Sequence, residues 1–373
     1  MSNTGSEASE LKTYIGVPLS RDIERTKLVL GEWFVRKIPE ATAVDVVSMT
    51  QPKGNGGSSE TWFTKLSVRT SRDVVTQEFV VRMKPHEFRM FWRENFEEQY
   101  RLITFLGAET EVPVPAILFY EPDPSALGVP FWVMEKVEGQ VPSDSPPYHT
   151  GSFLSDATEE QRRKLWRSGL RAAAKVAKVD VSRMPRIVNL RPGESGLEEN
   201  LRNWTEAMDW ACKGNPSPLF RRTIDWLWAN MPTRRDTGLS WGDCRIGNMI
   251  FRDWECVAVI DWDTITLAGP QLDLAHWLMM DEYFTIGLGL SALPGMGTRD
   301  ETIALWEELT GFKADQLAWH ELLAAFRLAI NGVRGMSMLP AEICAKLTFE
   351  DGDTVLTRQL RRVLLKVAGV RLE

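Results

Sequence analysis

The chain has 373 residues, of which 43% are hydrophobic and 25% are charged, and its formal net charge is −7. This length exceeds what one ordinary hydrophobic core covers, so we expect a soluble globular protein of two or more lobes. The acidic balance argues against nucleic acid as the main partner, because binding it requires a basic surface that neutralises phosphates.

Cysteine spacing and hydropathy favour the cytoplasm. The four cysteines (Cys212, Cys244, Cys256 and Cys344) have neither a C-x-x-C pair nor a zinc spacing, which suits a reducing compartment. Residues 1–10 are polar and acidic, unlike a signal peptide. No apolar run approaches the roughly 20 residues that span a bilayer. We therefore expect a cytoplasmic protein with no membrane partner, and no pattern indicates its oligomeric state.

The first part of the chain predicts a small antiparallel sheet accompanied by helices. A helix with Ser20 as its N-cap is indicated over Ser20–Ile38, and a second helix over Phe88–Leu106. Runs rich in β-branched residues predict the strands. These strands are Val44–Met49, Thr61–Val68, Val74–Met83, Ile117–Tyr120 and Pro130–Val137.

The second part is predicted to be mainly helical. The Pro/Ser-rich connector Val141–Tyr148 marks a change in composition, so we place an N-lobe at 1–137 and a C-lobe at 138–373. The fold class is α+β, with an N-terminal antiparallel sheet lobe and a larger helical C-terminal lobe. The predicted helices are Glu159–Lys178, Leu197–Cys212, Leu219–Asn230, Asp273–Phe284, Arg299–Thr310, Ala314–Gly332, Pro340–Lys346 and Asp353–Val367.

Three polar residues after residue 240 have the spacing of a kinase catalytic loop. Asp243 and Asn248 form a D-x-x-x-x-N interval, and Asp261 follows the apolar run 257–260. Phosphoryl transfer uses a carboxylate to orient and deprotonate a hydroxyl, and an amide with a second carboxylate to hold Mg²⁺ on the ATP phosphates. A lone match of this kind more often caps a turn. The ordered set predicts a small-molecule kinase.

These motifs resemble the aminoglycoside phosphotransferase/choline kinase family, most closely its stand-alone or acyl-CoA-dehydrogenase-fused branch. That family shows H-G-D-x-x-x-x-N, then I-D-W-[DE], then a D-L-A helix, and the similarity runs from about Val44 to beyond Arg327. Trp241 stands where the family usually has the histidine. The resemblance implies a protein-kinase-like two-lobed fold, with ATP and Mg²⁺ as cofactors and a small-molecule hydroxyl as acceptor.

Carried over to this chain, the resemblance makes Asp243 the catalytic base, and Asn248 and Asp261 the Mg²⁺ ligands. Arg245 either neutralises the transferred phosphoryl group or forms a structural ion pair. Asp263 either supports the groups around the metal or has a purely structural role.

Two further residues are expected to organise the loop. Asp273, at the start of the D-L-A helix, is interpreted as a structural organiser rather than a reactant. The indole N–H of Trp241 can replace the donor of the missing histidine.

The same resemblance assigns the nucleotide contacts. Arg82 replaces the usual strand lysine, with Lys84 as the alternative, and Glu98 is its expected partner rather than Glu97. A glycine-rich turn is expected to cradle the phosphates, and the hinge backbone to bind adenine. The turn residues are Gly56, Gly57, Ser58 and Ser59, and the hinge residues are Glu135 and Val137.

Two other functions, those of a pseudokinase and of a protein kinase, are the alternatives. A nucleotide-binding pseudokinase with a regulatory or interaction role is the alternative, because of Trp241. Protein-kinase activity is disfavoured, since no A-P-E segment follows Asp261. The four histidines (His86, His149, His276 and His320) have no metal spacing and are expected to be structural.

The acceptor is expected in the C-lobe, between the 197–230 segment and the helices after Asp273. Its aromatic side chains suggest an acceptor with an apolar or flat part, although core packing explains them equally well. Few acids cluster there, so an aminoglycoside is disfavoured. The candidate lining residues are Trp204, Trp210, Tyr283 and Trp319.

Overall fold

The computed structural model describes residues 21–52, 60–86, 89–233 and 237–369. Its contacts divide the chain into two compact units. The first consists of Met1–Arg89 and Val114–Glu138, and the second of Met90–Pro113 and Gly139–Glu373. Within the described ranges, no helix is long and apolar enough to cross a membrane.

The first unit is a five-stranded antiparallel sheet with one described helix, α1 (Ile23–Lys37). The strand order is β1-β2-β3-β5-β4, and β2 pairs with β3 from Glu60↔Met83 to Arg69↔Val74. The five strands predicted from the sequence are confirmed to within two residues at each end. Their bounds are β1 Ala43–Thr50, β2 Glu60–Arg69, β3 Val74–Met83, β4 Ile117–Glu121 and β5 Phe131–Glu135.

Helix α1 covers one face of this sheet. Its buried residues Leu30, Trp33 and Phe34 join a core cluster with the strands. The helix begins after Asp22, whose Oδ1 accepts the backbone N–H of Arg25 at 3.0 Å. The prediction of Ser20 as N-cap is therefore wrong, because Asp22 satisfies the free N–H group of the first turn; Ser20 itself lies outside the described residues.

The second unit contains nine described α-helices and one hairpin. The hairpin pairs β6 with β7 from Met249↔Val259 to Arg252↔Glu255. The helices confirm the eight predicted after residue 150, with shifts of at most four residues at either end. Their bounds are α2 Phe96–Glu109, α3 Glu159–Ala177, α4 Gly196–Ala211, α5 Pro218–Ala229, α6 Gln271–Glu282, α7 Arg299–Thr310, α8 Leu317–Met336, α9 Ala341–Leu347 and α10 Val355–Ala368, and the hairpin strands are β6 Met249–Arg252 and β7 Glu255–Val259.

Helix α2 begins later than its apolar pattern predicts. The pattern indicates a helix from Phe88, which lies outside the described residues, but the helix starts at Phe96. The preceding residues are held by tertiary contacts instead: Arg93 Nη2 donates to Ile187 O at 2.5 Å, and Asn95 Nδ2 donates to Asp263 O at 2.8 Å. These contacts belong to the second unit, which includes α2. The sequence-based lobe boundary after residue 137 stays a prediction.

Candidate active site

The loop predicted to be catalytic lies between a buried bridge and the β6–β7 hairpin. Ser240 and Thr266 exchange two backbone hydrogen bonds, of 2.9 and 3.0 Å. Gly242 has a φ of 93°, and a Cβ atom there would lie 2.2 Å from the carbonyl oxygen of Thr264. Only glycine fits this position, because both the backbone conformation and the space exclude a side chain. One 3₁₀ turn, Ile246–Asn248, then leads into β6.

Three side chains hold the carboxylate of Asp243. Its Oδ2 accepts a hydrogen bond from Asn248 Nδ2 at 2.7 Å. Its Oδ1 lies 2.9 Å from Arg245 Nε and 2.8 Å from His276 Nε2. Burial disfavours the charge, but Arg245 and His276 outweigh burial and hold the pKa of the Asp243 carboxyl well below its usual range. Asp243 is therefore an ionised carboxylate in a fixed orientation.

Arg245 forms an ion pair with Asp144 as well as with Asp243. Burial opposes the charge of the guanidinium, but the carboxylates of Asp243, Asp144 and Asp261 outweigh it and raise the pKa of Arg245. Of the two roles that the sequence left open for Arg245, the ion pair is present in the structure.

Asn248 and Asp261 are brought to neighbouring positions by the hairpin. The backbone oxygen of Asn248 accepts the N–H of Ile260 at 3.0 Å, one residue before Asp261. Since Asn248 Nδ2 donates to Asp243, Asn248 Oδ1 is the side-chain oxygen left for a cation. Across the described residues, no group of three or more His, Cys, Asp or Glu could hold a metal ion. An amide oxygen and a carboxylate do fit Mg²⁺, which prefers oxygen and keeps several waters.

Asp273 organises the backbone before Asp243. Its Oδ1 accepts hydrogen bonds from Ser240 Oγ at 2.8 Å and from the N–H of Gly242 at 2.7 Å, and its Oδ2 accepts the N–H of Trp241 at 2.7 Å. Burial raises the pKa of Asp273, against the opposing effect of these donors. The prediction that Asp273 is an organiser of the loop is confirmed by these three contacts.

Trp241 braces the loop against the residue predicted to bind the metal. Its Nε1 donates to the carbonyl oxygens of Asp261 at 2.8 Å and of Ile260 at 3.1 Å. The indole is fully buried and lies 5.8 Å from the ring of Trp262. The predicted replacement of the histidine donor by an indole N–H is confirmed.

A buried arginine holds the carbonyl group of Gly242. Arg327 Nη2 donates to the carbonyl oxygen of Gly242 at 2.9 Å, and its guanidinium lies 5.1 Å from the ring of Trp204. Burial lowers the pKa of Arg327 to about 10, opposed by the charges of Asp243 and Asp273. The two successive peptide groups that flank the Cα of Gly242 are therefore both held, the first at its N–H and the second at its carbonyl.

The contacts of Asp263 support the structural one of its two predicted roles. Its Oδ1 accepts from Gln99 Nε2 at 2.8 Å, and its carbonyl oxygen accepts from Asn95 Nδ2. Gln99 also donates to Asn95 Oδ1 at 2.7 Å. The side chain of Asp263 thus ties the segment after Asp261 to helix α2.

The residues predicted to contact the nucleotide are only partly described. Arg82 is a buried residue of β3 that lies 5.6 Å from the Trp132 ring in the first unit, whereas Glu98 is a half-buried residue of α2 in the second. Glu97 is bonded to Arg101 at 2.5 Å. The pairing of Arg82 with Glu98 stays a prediction, and the turn residues Gly56, Gly57, Ser58 and Ser59 lie outside the described residues.

The predicted hinge occupies the end of β5. Glu135 pairs with Phe79, and its backbone N–H donates to Ala116 O at 2.9 Å, while its Oε1 accepts the N–H of Ala116 at 2.9 Å. Val137 follows the strand. Adenine binding by the backbone of Glu135 and Val137 stays a prediction.

Sequence reasoning missed two residues at the site. Asp144 lies in the connector interpreted as a boundary, yet it binds Arg245 across 101 residues of sequence. His276, expected to be merely structural, is only 4% exposed and contacts Asp243. One signal was available for His276: it follows Asp273 by three residues and so lies on the same face of α6.

Two of the four aromatic acceptor candidates line a cleft in the second unit. Trp204 and Trp210 are among the residues that line this cleft. Trp319 is instead a core residue, with its Nε1 bonded to Leu227 O at 3.0 Å. Tyr283 does not line the cleft, and burial raises the pKa of its phenol to about 12.

Comparison with known proteins agrees with this geometry. The model of the phosphotransferase enzyme family matches residues 52–312, which is more than half of the chain. The chain belongs to this family. The resemblance inferred from the motifs is confirmed.

The curated relatives of this phosphotransferase are much longer proteins. It is 25% identical over 268 residues to acyl-CoA dehydrogenase family member 10 of Mus musculus, covering 70% of this chain and 23% of that protein. It is 24% identical over 267 residues to acyl-CoA dehydrogenase family member 11 of Homo sapiens, covering 69% and 33%. The matched region therefore spans 23% to 33% of the length of these relatives.

Solved structures share the fold. One, from Ralstonia eutropha and provisionally assigned as an aminoglycoside phosphotransferase, has a TM-score of 0.60 at 20% identity over 92% of this chain and 94% of that one. A thermostable mutant of aminoglycoside phosphotransferase APH(4)-Ia, in complex with ADP and hygromycin B, has a TM-score of 0.57 at 14% identity over 91% and 99%. The predicted α+β, protein-kinase-like fold is confirmed.

Proposed function

We propose that this phosphotransferase moves the γ-phosphoryl group of ATP, with Mg²⁺, to a hydroxyl of a small molecule. The observation that carries the proposal is the environment of Asp243. This ionised carboxylate is fixed by Asn248, Arg245 and His276, on a loop whose backbone is held by Asp273. A carboxylate fixed in this way can orient an acceptor hydroxyl and take its proton as the oxygen attacks.

The metal is assigned to Asn248 Oδ1 and the carboxylate of Asp261. Bound there, Mg²⁺ would neutralise negative charge on the phosphates of ATP. The chain's own contribution is positioning: the Nδ2 of Asn248 ties this proposed ligand directly to the base, and Trp241 holds the carbonyl of Asp261. Phosphoryl transfer depends mainly on such positioning and on charge stabilisation.

The nucleotide contacts rest on the resemblance. We assign the triphosphate to Arg82, positioned by Glu98, and to the turn 56–59, and the adenine edge to the backbone of Glu135 and Val137. Arg245 is assigned to the transferred phosphoryl group. Arg245 already forms ion pairs with Asp144 and Asp243, so in this role its guanidinium would contact the phosphoryl group in addition to these two carboxylates.

The test is Asp243→Asn, assayed by ADP release with an acceptor found in a metabolite screen. Loss of the base should lower kcat by about a hundredfold or more. Asp253→Asn is the matched control, because Asp253 lies in the β6–β7 turn with a φ of 52°, which asparagine also adopts. A near-normal kcat for Asp243→Asn would remove Asp243 from the role of base.

A pseudokinase is the second candidate, favoured by one observation, the replacement of the family histidine by Trp241. The contact of the indole N–H with the carbonyl of Asp261 supports an active loop instead. Calorimetric titration with ATP and Mg²⁺, together with ADP release over a broad panel of alcohols, separates the two. Binding of ATP without any turnover would establish the pseudokinase.

We also propose a cytoplasmic location, supported by the four cysteines. None of them forms a disulfide in the structure, and their spacing fits neither a disulfide framework nor a zinc site. Cell fractionation with the native protein tests this proposal, and recovery outside the soluble cytoplasmic fraction would contradict it.

A further inference from the structure

The ion pair between Asp144 and Arg245 joins the Pro/Ser-rich connector to the catalytic loop. It lies across Gly247, the residue before Asn248. A Cβ atom at Gly247 would lie 2.7 Å from Oδ1 of Asp144 and closer still to Nη1 of Arg245. A side chain at this position would displace the pair, so glycine provides the space in which the two charged groups meet.

The connector is anchored on both sides of Asp144. Just before the connector, Gln140 and Phe251 of β6 exchange two backbone hydrogen bonds of 2.8 Å. At its end, the buried ring of Tyr148 lies 5.0 Å from that of Phe284. All of these residues belong to the second unit. Asp144 is therefore presented to the catalytic loop by a segment whose two ends are held.

The hydrogen bonds of Arg245 leave one nitrogen of its guanidinium unused. Nε donates to Oδ1 of Asp243 at 2.9 Å, and Nη1 donates to Oδ2 of Asp144. Nη2 has no hydrogen-bond partner among the described residues, and it is not buried. Because the guanidinium is planar and rigid, the two contacts together fix the direction of the N–H groups on Nη2.

Asp144 also limits how Arg245 binds the proposed base. Arginine and carboxylate groups favour a bidentate pair, in which two N–H groups bind both oxygens. In this structure Arg245 donates only to Oδ1 of Asp243, while Oδ2 accepts a hydrogen bond from Asn248. The attraction of Nη1 to Asp144 opposes the bidentate arrangement. The side chain of Asp243 stays 27% exposed, which leaves it accessible to an acceptor hydroxyl.

We propose that Asp144 is a positioning residue for phosphoryl transfer and that it acts through Arg245. It holds the guanidinium so that Nε stays on the proposed base and Nη2 is the donor to the transferred phosphoryl group. The inference rests on the proposed phosphotransferase function, which assigns Arg245 to that group. The contribution of Asp144 is geometric, because its own negative charge repels a phosphate.

This geometric role predicts an effect opposite in sign to that of charge alone. Removing a carboxylate near a phosphate site lessens the repulsion, so by charge alone it tightens the binding of an anion. Removing Asp144 should instead weaken the binding of the phosphoryl group, because Arg245 can then turn onto both oxygens of Asp243 and Nη2 loses its direction.

The first experiment measures binding without an acceptor. ADP with Mg²⁺ is titrated calorimetrically into the unmodified protein and into Asp144→Ala, with and without tetrafluoroaluminate, a mimic of the transferred phosphoryl group. We expect tetrafluoroaluminate to tighten ADP binding to the unmodified protein. Asp144→Ala should lose about tenfold or more of this gain in affinity, with its affinity for ADP alone unchanged. A gain that is unchanged or larger in Asp144→Ala would overturn the proposal.

Asp156→Ala is the matched control for the loss of one negative charge. Asp156 is an exposed residue of the same unit that accepts a hydrogen bond from Ser155 Oγ at 3.3 Å. Its gain from tetrafluoroaluminate should equal that of the unmodified protein. If the control loses as much as Asp144→Ala, the effect is one of net charge and the proposal is wrong.

Asp144→Asn is the second variant, and it decides the question if Asp144→Ala does not fold. The amide oxygen can still accept a hydrogen bond from Nη1 of Arg245, but it carries no charge, so the contact is weaker. We expect a gain between those of the unmodified protein and Asp144→Ala, at an unchanged melting temperature. A gain equal to that of the unmodified protein would contradict the proposal.

The second experiment tests whether Asp144 acts through Arg245. The same titrations are made with Arg245→Gln and with the double variant Arg245→Gln, Asp144→Ala. If the two residues act as one unit, Asp144→Ala should change the gain by less than about twofold in the Arg245→Gln background. Effects that add in the double variant would show that Asp144 acts independently of Arg245, against the proposal.

The inference and the proposed function fail in different ways. A gain in the unmodified protein that survives in Asp144→Ala would keep the phosphotransferase function and exclude only the role of Asp144. Without a gain in the unmodified protein the inference fails, and ADP release with an acceptor then decides whether the proposed function fails with it.

Discussion

The imidazole of His276 is the contact of Asp243 that comes from outside its own loop. Its Nε2 lies 2.8 Å from Oδ1, the oxygen to which Arg245 Nε donates a hydrogen bond. The position of the carboxylate depends on both contacts, because an ionised group interacts strongly with its polar neighbours, and a hydrogen bond to such a group is worth about 1.5–3 kcal/mol. His276 therefore positions the proposed base.

We expect His276→Phe to lower kcat by roughly tenfold to a hundredfold, because the polar contact with Oδ1 of Asp243 is lost. His276→Gln should recover most of this loss, because the amide N–H of glutamine can donate to the same oxygen. The measurement is kcat for both variants with melting temperatures as a check on folding. Equal activity of the two variants would show that His276 acts only through packing.

Trp241 allows a second test at a single residue. Trp241→Phe keeps an aromatic ring but removes the donor to the carbonyl of Asp261, so the proposed metal ligand should lose its fixed position. We expect a higher Mg²⁺ concentration at half-maximal rate and a stability loss of about 1 kcal/mol.

The control for this change is Trp262→Phe. Trp262 is equally buried, but its Nε1 donates to Val259 O at 3.2 Å. A similar stability loss with an unchanged Mg²⁺ requirement is expected. If both variants change the Mg²⁺ requirement equally, the brace from Trp241 has no special role.

At the level of helices and strands, one close approach joins α4 to the segment after the loop. Gly196, the first residue of α4, lies against the backbone of Leu267, and a Cβ atom there would be 2.0 Å from its carbonyl oxygen. The helix can reach this segment only through a glycine, so the approach fixes the wall of the cleft relative to the loop.

Gly196→Ala should therefore destabilise the protein by about 2 kcal/mol or more, since the backbone must move apart. Gly335→Ala is the matched control. It lies within α8, and its nearest side-chain contact would be Met90 Cε at 4.0 Å. Alanine there should stabilise by about 0.5–1 kcal/mol. Chemical denaturation of both variants measures the difference, and a neutral Gly196→Ala would contradict the close approach.

The sequence predicts the bounds of a helix or strand accurately when local signals set them, and less accurately when a tertiary contact does. Strand β3 and helix α7 are predicted with their observed bounds, because alternation and capping residues are local signals: Thr298 and Glu301 form a capping box. Helix α2 begins eight residues late because Asn95 bonds to Asp263, a contact that no local pattern reveals.

The same distinction holds for the site. The approach of Asn248 to Asp243 follows from their five-residue spacing, which one turn closes. The contact of Asp144 with Arg245 joins residues that are far apart in the sequence, so no spacing predicts it. His276 lies between these cases, because helical periodicity places it near Asp273 but does not show that it reaches Asp243.

For the whole molecule, a buried carboxyl near the end of α6 predicts how stability depends on pH. Burial raises the pKa of Asp281 to about 7. An unfolded aspartate titrates near ~4, so between about pH 4 and pH 7 the folded state holds a proton that the unfolded state has lost. Its stabilising contribution is complete at low pH and is lost as the pH rises through 7.

Asp281→Asn removes this titration. We expect the variant to be more stable than the unmodified protein at pH 8, by on the order of 1 kcal/mol or more, and the two to differ little near pH 4. Urea unfolding at several pH values measures the difference. A stability difference that is the same at pH 4 and pH 8 would show that Asp281 does not titrate in this range.

The backbone of Gly242 links the activity of the enzyme to its resistance to heat. Its N–H is bound by α6 through Asp273 and its carbonyl by α8 through Arg327. When either helix frays on warming, the orientation of the adjacent carboxylate is lost at the same moment. Turnover should therefore disappear at the temperature where these two helices melt, without a lower-temperature step in which the enzyme is inactive but still folded.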